Sequence, residues 1–254
     1  MDITPTLLAA VEAICRRAGD AILEVYGSDF EVKGKADASP VTAADERAEA
    51  LITPALAALT PGIPIVAEEA VAGGALPDVS GGRFWLVDPL DGTKEFISRN
   101  GEFTVNIALV EQGVPVLGVV LAPALGRLYT GARGLGAWVE DEHGRRAIHC
   151  RAVPEAGLAV VASRSHGDAA ALDAFLAGRK VAQLVSAGSS LKLCLVAAGQ
   201  ADLYPRLGRT MEWDIAAGDA VLRAAGGLVR CVSSHEPLRY GKPGLDNPHF
   251  YAAA

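Results

Sequence analysis

The chain has 254 residues, of which 50% are hydrophobic, 21% charged and 6% aromatic, and its formal net charge is −7. This length allows one large domain or two closely joined ones with a substantial core. Because the chain is acidic and contains no run of lysines or arginines, the sequence argues against binding to a nucleic-acid polymer, which depends on neutralising phosphates.

The first predicted element is an amphipathic helix over residues 6–26 that ends at Gly27, because apolar side chains recur every three or four residues. Glu12 and Arg16 interrupt its apolar face and no basic residues precede it, so we do not expect a signal peptide. The most apolar stretch, residues 114–125, is too short to span a bilayer. We therefore expect a cytoplasmic protein, and the sequence leaves open a peripheral association with the inner membrane and a homodimer.

The four cysteines are widely separated along the chain: Cys15, Cys150, Cys194 and Cys231. They contain no C-x-x-C pair. We therefore expect neither a zinc cluster nor a disulfide framework in a chain long enough to have its own core.

A polar loop over residues 33–40 follows the first helix, and Thr42 is predicted to cap a second helix with Asp45 in its first turn. Residues 63–67 are typical of a short buried strand that ends at Glu68. A glycine-rich segment, predicted to be a flexible loop, then leads into a strand over residues 83–87.

Two β-rich runs within residues 104–129 flank Glu111-Gln112-Gly113, which predicts a hairpin, and further antiparallel strands are expected up to residue 150. From Pro154 the pattern changes to alternating strands and helices. The predicted strands are 158–163, 181–188, 201–205 and 228–231, and the predicted helices are 166–178, 189–199 and 214–227. The chain is therefore predicted to have an α+β part with a mostly antiparallel sheet over residues 1–153 and an alternating α/β part over residues 154–254.

Acidic side chains stand where predicted buried strands end. Glu68 follows one strand, and Asp88 and Asp91 follow another. Such carboxylates repel one another unless a cation lies between them, and hard oxygen ligands favour Mg²⁺. In the DPLDGT stretch, the Leu90 carbonyl faces the same site and Thr93 adds a hydroxyl, while Gly92 permits close backbone approach. The alternative is an Asx turn that simply ends a strand.

A second group of polar residues lies in the C-terminal part. Asp214 begins an apolar helix, where it either caps that helix or faces the site. Residues 188–190 lie between a strand and a helix, where backbone N–H groups can bind an anion, and Lys192 is in the following turn. Ser163 and His166 follow one strand, and Arg206 follows another. Local cationic groups on an acidic protein favour a ligand with a second phosphate.

Three stretches resemble the inositol monophosphatase superfamily of lithium-sensitive, Mg²⁺-dependent phosphatases: EE (68–69), WLVDPLDGT (85–93) and WDIAAGDAVLRAAGG (213–227). The likeness covers nearly the whole chain in the family's order. Four further stretches look like its bacterial 3′(2′),5′-bisphosphate nucleotidase branch: residues 91–109, 163–166, 188–206 and 246–250. The resemblance implies a layered α-β-α-β-α sandwich of the sugar-phosphatase type. It also implies hydrolysis of the 3′-phosphate of adenosine 3′,5′-bisphosphate, a by-product of sulfate assimilation, to AMP and phosphate.

The resemblance further implies the metal ligands and the residues that activate the water, and the polar residues of the C-terminal part complete the expected site. Two Mg²⁺ ions, with a third near Glu68 left open, are expected to bind Glu68, Asp88, the Leu90 carbonyl, Asp91 and Asp214. Thr93 and Asp45 are expected to orient and deprotonate the attacking water, which Glu68 helps to hold. The nucleotide is expected to contact Glu68, Leu90, Asp91, Gly92, Thr93, Ser163, His166, Gly188, Ser189, Lys192, Arg206 and Asp214.

Two other functions remain open at this point. An inositol or sugar monophosphatase would use the same chemistry, but relatives of that kind carry an acidic residue near the position of Arg206. A phosphometabolite-binding regulator without catalysis would be expected to lack a metal ligand or the threonine, and none of these is missing here.

Overall fold

The structure is a computed structural model that describes residues 2–34, 40–163 and 169–254. The helices are α1 (Pro5–Tyr26), α2 (Ala43–Leu59), α3 (Glu68–Ala72), α4 (Thr93–Ile97), α5 (Ala169–Leu176), α6 (Leu191–Ala197) and α7 (Glu212–Ala224), with a 3₁₀ turn at Pro123–Leu125. The strands of the N-terminal half are β1 (Val32–Gly34), β2 (Pro40–Thr42), β3 (Ile65–Ala67), β4 (Arg83–Asp91), β5 (Thr104–Glu111), β6 (Val114–Ala122), β7 (Arg127–Ala132), β8 (Gly136–Asp141) and β9 (Gly144–Ala147). Those of the C-terminal half are β10 (Leu158–Ser163), β11 (Val181–Ala187), β12 (Leu203–Arg206), β13 (Leu228–Cys231) and β14 (Phe250–Ala253).

The first two helices begin where their sequences predict. The Thr4 hydroxyl accepts the Leu7 N–H ahead of α1, and Pro5 occupies the first turn, where its missing N–H costs nothing. At α2, the Thr42 side chain accepts a backbone N–H while the Asp45 carboxylate accepts the Thr42 N–H, which forms a capping box. The predicted cap of the second helix is therefore confirmed.

Two sheets build the described part of the chain, beside a short β1–β2 ladder. The larger runs in the order β3-β4-β5-β6-β7-β8-β9 and is antiparallel apart from the parallel β3–β4 pair. The smaller has the order β11-β10-β12-β14-β13, with β10 parallel to both of its neighbours and β14 antiparallel to both of its own. The strand β14 was not predicted, because its four residues lie at the end of the chain outside any alternating α/β pattern.

Successive side chains of a strand point to opposite faces of the sheet, so each strand contributes to the layer above it and to the layer below it. Trp85 and Val87 of β4 pack with the apolar faces of α1 and α2, whereas Phe84 and Leu86 pack with α6, α7 and the smaller sheet. On the far face of the smaller sheet, Tyr251 contacts the ring of Phe175 in α5. The order of layers is helix, sheet, helix, sheet, helix, which confirms the predicted sandwich.

The core between the sheets draws on both parts of the chain that the sequence distinguishes. The last strand of the larger sheet ends at Ala147 and the first strand of the smaller one begins at Leu158. The division at residue 153 lies between them and stays a prediction. None of the described helices is both long enough and apolar enough to cross a membrane.

Helix α7 lies unusually close to the larger sheet because two glycines face it. A Cβ atom on Gly118 would stand 2.2 Å from the carbonyl oxygen of Ala217, and one on Gly131 would stand 2.5 Å from the Cα atom of Val221. Neither distance is sterically allowed, so only glycine permits the observed packing. The helix that begins beside Asp214 is thereby fixed against the sheet.

We predict that Gly118→Ala lowers the free energy of unfolding by about 1–3 kcal/mol or more, because the added methyl group forces α7 away from the sheet. Urea denaturation measures the change. Gly81→Ala is the control, since no described atom lies within 4 Å of the added methyl there. Equal stability of the two variants would contradict the close packing of α7.

Candidate active site

A pocket of about 450 Å³ is lined by eight residues of the N-terminal part, the first of them Glu68 and the last Glu95, and by twelve described residues of the C-terminal part, the first of them Ser163 and the last Ile215. The predicted site residues on its wall are Glu68, Asp88, Leu90, Asp91, Gly92, Thr93, Ser163, Ser189, Lys192, Arg206 and Asp214. Asp45 lies behind Thr93 rather than on the wall, and Gly188 is likewise not part of it. The predicted residue His166 lies outside the described residues. Two halves of the sequence thus meet at one pocket.

The first four residues of the DPLDGT stretch, Asp88 to Asp91, continue strand β4 instead of following it. The prediction that this strand ends at Val87 was wrong: Asp88 pairs with Asn106 and Asp91 with Thr104, with a shift of register between the two. Such a bulge re-aims side chains at the edge of a sheet. The Asp88 carboxylate also accepts the Leu90 N–H at 3.0 Å, so the Asx turn considered as an alternative coexists with a position on the pocket wall.

Gly92 turns the chain from β4 into α4. Its φ of +89° lies in the left-handed region, which a side chain strongly disfavours. Thr93 then begins α4 with its hydroxyl oxygen 3.5 Å from Asp45 Oδ1 and 3.4 Å from the Leu90 carbonyl oxygen. Because the other oxygen of Asp45 accepts both the N–H and the hydroxyl of Thr42 at 2.8 Å, the carboxylate is held facing Thr93.

The remaining acidic residues stand at helix starts. Asp214 is in the first turn of α7, where its carboxylate accepts the Met211 N–H at 2.8 Å while the side chain also lines the pocket. Glu68 is the first residue of α3. The flexible loop predicted after Glu69 was wrong at its start, because α3 continues to Ala72.

Burial and mutual repulsion dominate the electrostatics of these carboxylates. Burial, followed by the charges of Glu68, Asp91, Asp214 and Asp45, raises the pKa of Asp88 well above its usual value. Burial and the charges of Asp91 and Glu68 likewise raise the pKa of Asp214. Burial raises the pKa of Asp91 to about 6, although Lys192 and a hydrogen bond from the Ser190 N–H oppose the shift. A cation among them would relieve this repulsion.

The carboxylates are nevertheless not drawn together as metal ligands would be. In the described ranges, no group of three or more His, Cys, Asp or Glu side chains is close enough to hold a metal ion. The pKa shifts reflect the mutual repulsion of these acidic groups.

Basic and hydroxyl groups share the same pocket. The Lys192 ammonium is buried and donates to the carbonyl oxygens of Ala187 and Ser189 at 3.2 and 2.6 Å, and burial lowers its pKa to about 8. Arg206 donates one N–H to the Arg209 carbonyl at 2.9 Å. Its buried Nε atom and the buried Ser189 hydroxyl find no hydrogen-bond partner among the residues described. Buried donors of this kind favour an acceptor on a ligand.

The backbone between β11 and α6 is partly engaged within the protein. The Gly188 N–H donates to the Glu102 carboxylate at 2.8 Å, and the Ser190 N–H bonds to Asp91. The role of residues 188–190 in binding an anion stays a prediction. The Ser189 hydroxyl, for which the described ranges offer no hydrogen-bond partner, supports it.

Eight further residues on the pocket wall were not predicted: Lys94, Glu95, Leu193, Tyr204, Arg209, Thr210, Met211 and Ile215. The first two follow Gly92 in α4, a helix too short to show a periodic pattern. Arg209 is largely exposed and pairs with Asp246 at 2.8 Å, so its sequence context resembles any surface arginine. Only the position of Lys94 and Glu95 directly after the DGT turn could have indicated from the sequence that they line the pocket.

Comparison with known proteins places these features in a family. The model of the inositol monophosphatase family matches residues 2–251. The 3′(2′),5′-bisphosphate nucleotidase CysQ of Escherichia coli O157:H7 is 52% identical over 226 residues, which are 88% of this chain and 89% of that protein. The protein of the same name from Buchnera aphidicola is 41% identical over 253 residues, covering 98% of this chain and 94% of that protein.

Solved structures agree with this assignment. CysQ from Bacteroides thetaiotaomicron has a TM-score of 0.82 and 42% identity, with 98% of this chain and 97% of that chain covered. An inositol monophosphatase from Anabaena has a TM-score of 0.76 and 28% identity, with 98% and 90% covered. The family model alone spans far more than half of the sequence, and the pocket holds the acidic residues expected from the resemblance. The chain belongs to the inositol monophosphatase family.

Proposed function

We propose that this protein is a Mg²⁺-dependent phosphatase that hydrolyses the 3′-phosphate of adenosine 3′,5′-bisphosphate to AMP and phosphate. Members of this family are generally Mg²⁺-dependent phosphatases, and relatives more than 50% identical are named for this nucleotidase activity. The observation that carries the proposal is that one pocket joins an acidic cluster to the basic side chains of Lys192, Arg206 and Arg209. The acidic cluster suits metal ions, and the basic side chains suit a second phosphate.

The donor set fits Mg²⁺ in its chemistry. The groups proposed to hold the ions are all oxygen donors: Glu68, Asp88, the Leu90 carbonyl, Asp91 and Asp214. Mg²⁺ prefers carboxylate and carbonyl oxygens together with substrate phosphate. When bound, two Mg²⁺ ions supply the positive charge that a phosphoryl group requires in its transition state.

Thr93 and Asp45 are proposed to handle the attacking water. The Thr93 hydroxyl takes a proton from the water as it gives its own proton to Asp45 Oδ1, which lies 3.5 Å away, so that the hydroxyl is restored and the water attacks as hydroxide. That distance is long for a hydrogen bond, as is common for catalytic contacts in the absence of substrate. Thr42 holds the opposite oxygen of Asp45, so the carboxylate keeps its orientation as the proton moves.

The phosphate that is not cleaved is proposed to bind to three side chains: Arg206, Lys192 and Ser189. The Arg206 Nε atom and the Ser189 hydroxyl are buried donors with no acceptor in the part of the chain that the structure describes, and arginine presents a planar, permanently charged fork to a phosphate. An inositol monophosphate has no second phosphate to occupy these donors. The geometry therefore favours the bisphosphorylated nucleoside over the inositol phosphate.

We predict that Asp88→Asn and Asp91→Asn each lower phosphate release by about 100-fold or more, because each removes a charged oxygen ligand of the ions. Activity of the wild-type protein should require Mg²⁺ and disappear in chelator. Glu46→Gln, which changes an exposed carboxylate on α2, is the control. Full turnover by either aspartate variant would contradict the proposed metal ligands.

We predict that Asp91 makes the metal-free protein less stable as the pH rises from about 4 to about 7. The pKa of Asp91 is about 6 in the folded protein and about 3.8 in the unfolded chain, so the folded state binds more protons in this window and the free energy of unfolding falls. The loss is at most about 3 kcal/mol. Thermal unfolding in chelator should show a shallower decline for Asp91→Asn than for the wild type. Parallel pH profiles would contradict the raised pKa.

We predict that Arg206→Ala lowers kcat/KM for adenosine 3′,5′-bisphosphate about ten- to a hundredfold, since one charge-assisted contact of roughly 1.5–3 kcal/mol is lost. Any activity on inositol 1-phosphate should be unchanged or improved. Arg133→Ala, which removes a mostly exposed arginine elsewhere, is the matched control. Equal losses on both substrates would mean that Arg206 serves the fold or the cleaved phosphate. A wild-type preference for inositol 1-phosphate would reject the nucleotidase proposal.

A further inference from the structure

Helix α3, which begins with Glu68, has little of its own to hold it in place. It is only five residues long, and none of its residues is buried. Its N-cap position is Ala67, which has no side-chain acceptor for the free N–H groups of the first turn. Helices this short are unstable without outside contacts. Ala70 and Val71 are partly buried against the two cores, but the N–H groups of the first turn, which carries Glu68, need an acceptor from another element.

Glu49 of α2 provides that contact. One oxygen of its carboxylate accepts the Glu69 N–H at 2.8 Å, and the other accepts the Ala70 N–H at 2.8 Å. These are two of the free N–H donors in the first turn of α3, and their acceptor lies about 20 residues upstream. A carboxylate that accepts two N–H groups forms charge-assisted hydrogen bonds, which are stronger than neutral ones.

The same face of α2 then orients two groups of the candidate site. Asp45 and Glu49 are four residues apart, so their side chains project from neighbouring turns of one helical face. Asp45 faces Thr93, and Glu49 holds the turn from which Glu68 projects. Glu49 itself is not on the pocket wall.

We propose that Glu49 is a positioning residue that fixes Glu68 and thereby sets the affinity of the pocket for Mg²⁺. This inference rests on the proposed function, in which Glu68 is a metal ligand. Groups that orient a metal ligand commonly change metal affinity or activity ten- to a hundredfold when they are removed.

The test compares Glu49→Ala and Glu49→Gln with the wild type in a Mg²⁺ titration of phosphate release and in Mg²⁺ binding by calorimetry. We expect Glu49→Ala to raise the half-saturating Mg²⁺ concentration and the dissociation constant about ten- to a hundredfold, while KM for the nucleotide at saturating Mg²⁺ changes much less. Glu49→Gln keeps one acceptor oxygen, so its Mg²⁺ affinity should lie between that of the wild type and that of Glu49→Ala. Glu46→Ala removes an exposed charge from the same helix and should match the wild type.

Amide hydrogen exchange in Mg²⁺-free protein provides a readout that does not depend on activity. The Glu69 and Ala70 amides should exchange slowly in the wild type and faster in Glu49→Ala, with the core of the larger sheet unchanged. Normal Mg²⁺ affinity in both Glu49 variants of an active enzyme would overturn this inference and leave the proposed function intact. A wild-type protein that neither binds Mg²⁺ nor releases phosphate would overturn both.

Discussion

The repulsion among buried carboxylates is the constraint on which the arrangement of this site depends. Left to themselves, such side chains would turn away from one another or take up protons. Each is instead tethered by a nearby backbone N–H: Leu90 to Asp88, Ser190 to Asp91, Met211 to Asp214 and Thr42 to Asp45. These tethers come from an Asx turn and from helix starts, so the same local features that shape the backbone also hold the charges in place.

One of these tethers, from Ser190 to Asp91, also joins the two parts of the chain beneath the pocket. The buried Ser190 hydroxyl lies 2.9 Å from that of Thr104 and donates to Asn106 at 2.6 Å, which links β5 to the start of α6. The Ser190 N–H that bonds to Asp91 is therefore positioned by the larger sheet. On the other side, Gly118 lets α7 rest on the same sheet and so fixes the turn that bears Asp214.

The features that the sequence predicts best are those with a local cause. Thr42 and Asp45 predict the start of α2, and the turn residues around Gly113 predict the hairpin between β5 and β6. The features that it misses depend on contacts distant in the chain: α3 needs Glu49 from the preceding helix, and β4 runs on to Asp91 because β5 pairs with it. The roles of the candidate site residues follow from the resemblance, and the structure adds their neighbours, tethers and charges.

The charges of the pocket are unevenly distributed, and this bears on how a bisphosphate would lie in it. The largest influences on the pKa of Asp88 all raise it, whereas Lys192 opposes the rise in the pKa of Asp91 and Arg206 opposes that of Asp214. The neighbourhood of Asp88 therefore needs a cation from solution before an anion can approach it, while the neighbourhood of Arg206 can accept an anion directly. Under the proposed function, the phosphate that is cleaved enters the side that depends on Mg²⁺, and the phosphate that is kept rests on the basic side chains of the protein itself.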